Sequence, residues 1–517
     1  MFRVLRFLIG VVVVLAATSF VFQNVYSVPS RAGLAHDRAI PADPGTRLGA
    51  WVLPLEAANP GRSGVASLGD GAAAFAARLL LIEAAEASID IRYYIWQRDV
   101  TGLLLLDALR RAADRGVRVR ILLDDNGIPG LDPILAQLDA HPNIQVRLFN
   151  PFALRTPRML SYVLDFRRLN RRMHNKSMTV DGVVSIIGGR NIGDIYFSSD
   201  PNVNYFDMDV AVLGPASRDV SEDFDLYWAS PPVFAAAAIL SPAESGADRL
   251  GAALAALRTD DRAQRYARAV SDLDLLDRIR HGAVGFDWVP VQLVSDDPVK
   301  GQGPAPAAAL LTTRLAEILP RPEREVLLAS AYFVPGERFS ARLADWARKG
   351  VAVDILTNSL ESTDVLPVHA GYMKYGDRLL AADVGLHELR STQARRDLAE
   401  KFDLIGSTNS SLHAKSFVID ERTVFVGSFN FDPRSANLNT EMGFLIDSQK
   451  LARNMAARFK AALPTRSYRV ELVDDRLEWV ERREDGTVIR HEIEPGTGLV
   501  ERFVAGVIRW LPVEWLL

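Results

Sequence analysis

Two copies of one short motif contain the residues of this sequence that are best suited to chemistry. Residues 174–191 read HNKSMTVDGVVSIIGGRN, and residues 413–430 read HAKSFVIDERTVFVGSFN. In each copy a His is followed by Lys, Asp, Gly and Asn at the same spacing, and the copies lie 239 positions apart. The paired positions are His174 and His413, Lys176 and Lys415, Asp181 and Asp420, and Asn191 and Asn430. A duplication this complete indicates a functional pair of motifs, although one copy alone would be weak evidence.

These residue types suit chemistry at an anionic phosphorus centre. A neutral His can act as a nucleophile or as a general acid or base. Positions i and i+2 of a strand point to the same side, so the His and Lys of each copy lie side by side. Two such pairs around one phosphate would supply attack, protonation of the leaving group and charge neutralisation without a metal ion or cofactor. The predicted catalytic set is His174, Lys176, Asp181, His413, Lys415 and Asp420.

The acidic residues near the motifs have different expected tasks. Asp181 and Asp420 lie beyond the end of the strand, so we expect them to stabilise the turn or to hold a lysine. Glu441 follows His413 by 28 positions, and Asp207 follows His174 by 33 because the loop there is longer. A carboxylate bound to an imidazole N–H fixes its tautomer and supports the cation that develops. Asp207 and Glu441 are therefore the predicted partners of the histidines, and an ordinary strand-end ion pair is the alternative.

The elements that must position these residues also occur twice. Strand patterns at residues 88–96 and 325–334 are each followed by an amphipathic helix pattern, at 102–115 and 338–349, and then by another strand. The motif itself predicts a hairpin, with a turn at Asp181 in the first copy. Strands that alternate with helices predict an α/β fold with a mixed, largely parallel sheet flanked by helices. The repeat predicts two tandem domains that are related by pseudo-twofold symmetry and share one active site.

The expected organisation has six parts. They are an N-terminal signal or anchor segment (1–27), a linker (28–62), the first repeated domain (63–240), a linker with peripheral helices (241–290), the second repeated domain (291–470) and a C-terminal appendage with an amphipathic end (471–517). The length of 517 residues provides ample material for buried cores.

The bulk composition and the N-terminus narrow the class of protein. The formal net charge of −4 argues against a surface that embraces nucleic acid. Without cysteine, thiolate nucleophiles, zinc–thiolate sites and disulfides are excluded. Arg3 and Arg6 precede an apolar run that is short for a full membrane span. A cleaved signal peptide and an uncleaved anchor both fit, and the basic residues favour a body outside the cytoplasm.

A basic, partly apolar segment ends just before the first motif. Between residues 155 and 172 six arginines alternate with apolar residues, against one acid, Asp165. Such a segment is typical of an interfacial element that binds anionic lipid, and a solvated loop with a core-facing stripe is the alternative. The residues predicted to contact anionic lipid are Arg167, Arg168, Arg171 and Arg172. The C-terminal stretch 501–511 has an apolar helical face that predicts either membrane docking or packing on the body.

Taken together, these stretches resemble a known family. The paired motifs, with YYIWQRDVTG, RLNRRMHNKSMTVDGVVSIIGGRNIGD, LTNSLESTDVLPVHAGY and GSFNFDPRSANLNTEMGF, resemble the phospholipase D superfamily. Within it the resemblance is closest to the bacterial cardiolipin synthases of the C type, over about residues 65–517. The apolar N-terminus is not a required part of that pattern.

The resemblance implies a ping-pong transfer of a phosphatidyl group between phospholipids. His174 would attack the phosphodiester of phosphatidylglycerol or phosphatidylethanolamine and form a phosphatidyl-histidine, and His413 would protonate the departing alcohol. His413 would then deprotonate a glycerol hydroxyl of phosphatidylglycerol, which captures the phosphatidyl group as cardiolipin. Lys176, Lys415, Asn191 and Asn430 would hold the non-bridging oxygens. Asp207 would orient His174, and Glu441 would orient His413.

Two other functions remain as alternatives. A phospholipase D that hydrolyses the same lipids would use the same residues and differ in its exclusion of water. A non-catalytic membrane scaffold belongs to another class, and two intact motifs argue against it. For the transferase we expect anionic phospholipids as substrates, the bacterial inner membrane as the location, a periplasmic catalytic body, no nucleic acid and no metal. The sequence makes no prediction about whether the enzyme needs a helper protein.

Overall fold

A computed structural model describes residues 37–197, 207–244, 246–257, 285–391 and 412–517, together with residue 264 and scattered positions before residue 35. Within these ranges the chain forms two large sheets, one from each copy of the repeat, with helices packed against them. The loop before Asp207, most of 258–284 and the first residues of the predicted anchor lie outside the described residues.

The first sheet has nine strands in the order β8-β4-β3-β2-β5-β6-β7-β1-β9. They are β1 (Ser63–Leu68), β2 (Ser88–Ile95), β3 (Arg118–Gly127), β4 (Ile144–Phe149), β5 (Ser177–Val180), β6 (Val184–Gly188), β7 (Asp209–Leu213), β8 (Val233–Ala235) and β9 (Asp287–Val289). Its helices are α1 (Arg47–Ala57), α2 (Gly71–Ala84), α3 (Val100–Asp114), α4 (Asp132–Asp139), α5 (Arg158–Leu164), α6 (Phe166–Leu169), α7 (Pro215–Trp228), α8 (Ala236–Ile239) and α9 (Arg249–Leu257).

The second sheet has ten strands in the order β10-β16-β15-β14-β11-β12-β13-β17-β18-β19. They are β10 (Val291–Ser295), β11 (Glu325–Ser330), β12 (Ala352–Asn358), β13 (Gly385–Leu389), β14 (Lys415–Ile419), β15 (Thr423–Gly427), β16 (Met442–Asp447), β17 (Ser467–Val473), β18 (Arg476–Arg482) and β19 (Val488–His491). Its helices are α10 (Leu311–Ile318), α11 (Gly336–Arg348), α12 (Leu366–Tyr372), α13 (Gly376–Leu380), α14 (Pro433–Asn437), α15 (Gln449–Arg466) and α16 (Leu499–Arg509).

The α/β class and the two repeated units agree with the prediction, but fewer strand pairs are parallel than the sequence suggests. In the first sheet only β2–β3 and β3–β4 are parallel, and in the second only β11–β12 and β12–β13. The motif hairpins pair antiparallel with the strand before them, through β2–β5 and β11–β14. In each sheet the strands that are joined by helical crossovers pair parallel. The two strands of each motif are joined by a short turn and pair antiparallel.

Three segments differ from their predicted roles. The expected linker 28–62 contains α1, whose first turn is capped by the Thr46 side chain. Two strands that extend the first sheet, β1 and β9, pair with each other across the chain. The predicted C-terminal appendage begins with β17 to β19, which continue the second sheet through β13. The extensions of the two sheets were hard to predict because β1 pairs with β9, and β13 with β17, across long stretches of sequence.

The two halves pack through the outer faces of their motif strands. One apolar cluster contains Ile187 and Val210 of the first sheet together with Val424, Val426 and Phe444 of the second. All five side chains are buried. This shared core brings together the open ends of the two motif hairpins, opposite their turns. The functional residues of both halves meet there.

No helix among the described residues is both long enough and apolar enough to cross a membrane. The predicted N-terminal anchor falls mostly on positions outside that set, so it stays a prediction.

Candidate active site

The two motif histidines lie where the hairpins of the two halves meet. His174 is buried just before β5, and His413 is partly exposed just before β14. A backbone bridge joins the halves here, since the His174 amide donates to the Thr440 carbonyl and the Thr440 amide donates to the Arg172 carbonyl. The main chain before one motif is therefore held in register with the acidic residue of the other half.

Each histidine is bound by the carboxylate of the opposite half. His174 Nδ1 lies 2.8 Å from Glu441 Oε2, and His413 Nδ1 lies 2.7 Å from Asp207 Oδ2. The predicted assignment of Asp207 to His174 and Glu441 to His413 is therefore wrong. The sheets face each other, so the strand that follows each motif delivers its carboxylate across the interface. Both imidazoles use Nδ1 for the carboxylate, which leaves Nε2 as the nitrogen for chemistry.

The two lysines are buried with the histidines. Lys176 Nζ donates to the His174 carbonyl at 2.7 Å, and Lys415 Nζ donates to the His413 carbonyl at 2.6 Å. Burial lowers the pKa of both ammonium groups, and the charge of Lys415 further lowers the pKa of Lys176. An anion bound between them would relieve both penalties, so the site is electrostatically suited to a phosphate.

The two carboxylates have different environments. Burial raises the pKa of Glu441 to about 7. Burial acts in the same direction on Asp207, but attraction to the protonated form of His413, together with the hydrogen bond from that ring, lowers the Asp207 pKa below the usual value. Glu441 also accepts a 2.5 Å hydrogen bond from the Ser428 hydroxyl. In the first copy the residue at that motif position is Gly189, where an added Cβ would lie 2.2 Å from Asp207 Oδ1.

Both histidines are neutral in the resting site. Burial, with Lys176 and Lys415 nearby, lowers the pKa of His174 well below its usual range. Burial and the charge of Lys415 lower the pKa of His413 to about 3. A neutral imidazole is the form that can attack phosphorus or accept a proton.

Two tyrosines beside the histidines were missed by the sequence analysis. The Tyr94 ring lies edge-on to His174 with centroids 5.0 Å apart, and the Tyr196 ring lies edge-on to His413 at 5.1 Å. Burial raises the pKa of Tyr94 to about 12, so its hydroxyl stays protonated. The conspicuous stretch YYIW contains Tyr94, but its pattern indicated only a strand. Tyr196 has no counterpart of its own type 239 positions later, so the repeat could not reveal it.

The two asparagines are buried close to this site. The Asn191 side-chain oxygen accepts a hydrogen bond from the Ile95 amide. Within the described part of the chain, Oδ1 of Asn430 is buried and has no hydrogen-bond partner. Their predicted contact with phosphate oxygens stays a proposal.

The placement of Asp181 and Asp420 in the catalytic set is wrong, and their alternative structural role is supported. Asp181 accepts hydrogen bonds from the amides of Ala87 and Ser88, at 2.8 and 2.9 Å. Asp420 accepts from the amides of Arg324 and Glu325, at 2.7 and 2.9 Å. Both lie at the turn of the hairpin with positive φ, at the end of the strands away from the histidines. They join the turn to the loop before the neighbouring strand.

The arginines before the first motif are mostly structural. Arg172 is buried and pairs with Asp124 at 2.8 Å, and Arg171 donates to the carbonyls of Lys300 and Asn437. Arg168 pairs with Asp165 at 2.7 Å, whereas Arg167 is exposed. The prediction of lipid contact is therefore wrong for Arg171 and Arg172, because their guanidinium groups satisfy buried acceptors. Arg167 keeps that prediction, beside the exposed side chains of Met159 and Val163 on α5.

The fold and this site define a two-motif protein of the phospholipase D class, in which each half supplies one His, one Lys and one carboxylate. The family model described as "Cardiolipin synthase, PLD-like domain" matches residues 79–228 and 315–463. The chain belongs to this cardiolipin synthase family of phospholipase D-like enzymes.

Individual relatives agree with that assignment. The chain is 45% identical to "Cardiolipin synthase C" of Escherichia coli (strain K12), over 91% of this chain and 100% of that protein. It is 26% identical to "Cardiolipin synthase" of Oceanobacillus iheyensis, over 77% of this chain and 68% of that protein. The crystal structure of a phosphatidylserine synthase from Haemophilus influenzae Rd KW20 shares the fold, with a TM-score of 0.54 at 14% identity, covering 80% of this chain and 90% of that one.

Proposed function

We propose that this protein is a cardiolipin synthase that transfers a phosphatidyl group from phosphatidylglycerol or phosphatidylethanolamine to a second phosphatidylglycerol. The observation that carries the proposal is the pair of histidines, each bound to the carboxylate of the other half, with both lysines beside them. The full-length similarity to a cardiolipin synthase supports the choice of reaction within the superfamily.

In the first step His174 is the nucleophile. Its Nε2 attacks the phosphorus of the donor lipid, and the bond from phosphorus to the head-group oxygen breaks. The phosphatidyl group becomes covalently bound to His174, and His413 gives its proton to the departing alcohol. Glu441 holds Nδ1 of His174 and supports the positive charge that develops on the ring.

His413 suits the acid–base role because of its partner. Asp207, with its lowered pKa, is ionised and stabilises the imidazolium form of His413. In the resting site the lysines disfavour that form. A bound phosphodiester compensates the charges of Lys176 and Lys415, so it raises the affinity of His413 for a proton when the proton is needed.

In the second step the acceptor lipid restores the enzyme. Neutral His413 takes the proton from a glycerol hydroxyl of phosphatidylglycerol, whose oxygen attacks phosphorus. The phosphorus–nitrogen bond breaks, cardiolipin forms, and His174 returns to its neutral state. Lys176 and Lys415 neutralise the non-bridging oxygens in both steps.

The surface near the site supports a location on a membrane. Phe503 and Val507 of α16 are exposed, and Trp510, the residue that follows α16, is 87% exposed. The exposed side chains on α5 form a second apolar face. Arg434 connects the two regions, since it donates to the Asn170 side chain and to the Leu516 carbonyl. We propose that both faces contact the inner-membrane lipid that contains the substrates, with the catalytic body on the periplasmic side.

Purified full-length protein with labelled phosphatidylglycerol, with and without phosphatidylethanolamine, tests the function. We expect cardiolipin as the product, and release of glycerol or ethanolamine identifies the donor. Phosphatidic acid as the sole product would contradict the transferase and indicate the hydrolase. A His174→Ala protein should form no cardiolipin, and a rapid denaturing quench of the wild-type reaction at neutral to mildly alkaline pH, which preserves the acid-labile phosphorus–nitrogen bond, should trap label on His174. Label on His413 instead would reverse the proposed roles.

A further inference from the structure

The second half contains a cavity of about 430 Å³ that is separate from the histidines. It lies between α10, α11 and the segment 429–437. Its volume falls within the range of about 300–1,000 Å³ that small-molecule sites occupy. Apolar side chains form its walls, among them Leu315, Trp346, Phe417 and Phe431. The chemistry of these walls suits a hydrocarbon ligand and offers little to a polar one.

The cavity exists because the repeat is imperfect at one helix. In the first half α2 has 14 residues, and its Phe75 and Ile82 are fully buried in one core with Leu105 and Leu109 of α3. In the second half the matching helix, α10, has 8 residues. The sequence LPRPE follows it, and Pro320 and Pro322 cannot continue a helix. The space that the end of α2 fills in one half is therefore open in the other.

Two arginines lie at the rim of this cavity. Arg338 and Arg342 are one turn apart on α11, and both are exposed. Across the described ranges neither guanidinium has a hydrogen-bond or ion-pair partner, whereas the nearby acid Glu337 pairs with Arg378. An apolar interior with free positive charge at its mouth is complementary to an anionic molecule with a hydrocarbon chain.

The cavity also adjoins the candidate active site through one stretch of chain. Phe429 and Phe431, which line the cavity, flank Asn430, the predicted phosphate ligand of the second motif. At the far end of that stretch the Asn437 carbonyl accepts a hydrogen bond from Arg171, three residues before His174. A ligand in the cavity would therefore contact the same segment that positions Asn430.

We propose that this cavity is a second lipid-binding site, which takes one acyl chain of an anionic glycerophospholipid with the phosphate held by Arg338 and Arg342. The site goes beyond the proposed transfer reaction, because the bound lipid is not at the histidines and need not react. Occupation of the cavity would hold the protein on a membrane that contains anionic lipid.

Photocrosslinking of the full-length chain tests the proposal. The probe is phosphatidylglycerol with a diazirine in one acyl chain, in vesicles of phosphatidylcholine, and the labelled peptides are identified by mass spectrometry. We expect label in residues 311–319, 336–348 or 429–437. Ala316 lines the cavity, so Ala316→Trp should reduce this label about tenfold, which corresponds to a loss of about 1.4 kcal/mol. Glu317→Trp, on the next residue and outside the lining, is the matched control and should retain it.

The charge of the rim is tested in the same assay. Arg338→Gln with Arg342→Gln should lower the label severalfold, whereas Arg348→Gln on the same helix but outside the lining should not. Absence of label from these peptides would overturn the proposal, and so would equal labelling by a phosphatidylcholine or free fatty-acid probe. The His174→Ala protein should still be labelled. A failure to make cardiolipin would therefore refute the proposed function and leave this site standing.

Discussion

His174 of the first half and Glu441 of the second form a buried hydrogen bond of 2.8 Å across the interface of the repeat. The reciprocal pair of His413 and Asp207, at 2.7 Å, completes the exchange. Within each half, therefore, the motif histidine is not bound by the carboxylate of that same half. Both halves are therefore needed to form one complete site, because each supplies the carboxylate that orients the histidine of the other.

Removal of either carboxylate should impair chemistry more than binding. We expect Glu441→Gln and Asp207→Asn to lower kcat about 10²–10⁴-fold, because the imidazole loses its tautomer control and its charge support. Steady-state cardiolipin formation measures the change. Glu494→Gln removes a carboxylate that binds His369, outside the motifs, and is the control. Undiminished formation of the phosphatidyl-histidine at His174 in Glu441→Gln would contradict the crossed arrangement.

The pH dependence of turnover should follow Glu441. Its pKa, raised to about 7 by burial, means that the carboxylate form gains population as pH rises through 7. Since only that form supports the charge on His174, we expect kcat to rise between about pH 6 and 8 and then level. The rise should vanish in Glu441→Gln. An unchanged inflection in that variant would assign the titration to another group.

The position that is Gly189 in the first motif and Ser428 in the second should respond differently to mutation in the two copies. Gly189→Ser places a Cβ against Asp207, so we expect loss of activity and of His413 function. Ser428→Gly removes the hydroxyl that donates to Glu441, and a loss of about 10-fold is expected from one hydrogen bond to a charged group. Ser428→Thr, which keeps the hydroxyl, is the control. Full activity of Gly189→Ser would show that the contact is not restrictive.

Asp181 and Asp420 should affect stability and not the chemical step. Asp181→Ala leaves buried backbone amides without an acceptor, at a cost of about 1–3 kcal/mol per group. Asp420→Ala should cost less, because its partners are more exposed. Thermal unfolding gives the difference, and Asp181→Asn, which keeps one acceptor oxygen, should recover part of it. A large fall in kcat of the folded Asp181→Asn protein would restore a catalytic role.

The exposed face of α16 should contribute to membrane binding. Phe503→Ser with Trp510→Ser removes apolar side chains that are 69% and 87% exposed, so the fold should remain intact. We expect weaker sedimentation with vesicles that contain phosphatidylglycerol. Leu226→Ser alters a leucine on α7 that is 50% exposed and is the control. Equal binding of both variants and the wild type would exclude this face.

Sequence reasoning predicted the histidines, lysines and carboxylates that the structure brings together, but not which carboxylate binds which histidine. The repeat indicated His174, Lys176, His413 and Lys415, because residues of one motif share a strand and their spacing carries the chemistry. It also found Asp207 and Glu441, but it paired each with its own half. Pairing within a sheet can be inferred from chain order, whereas the packing of one sheet on another cannot.

The local sequence pattern also could not distinguish exposed arginines from buried ones. Six arginines before the first motif suggested a lipid-binding surface, yet Arg171 and Arg172 point into the protein, where Asp124 and five carbonyl groups accept their hydrogen bonds. Apart from the Leu169 carbonyl, those acceptors are 22 or more positions away in the chain, so a short sequence window does not reveal them.

The sequence by itself determined the duplication, the α/β class and the residues able to work on a phosphodiester, because these depend on residue type and spacing. Only the tertiary structure decided which carboxylate serves which histidine, that Asp181 and Asp420 hold turns, and that the short helix α10 leaves a cavity. These features arise from the packing of the two sheets and from contacts between residues that are 93 to 267 positions apart.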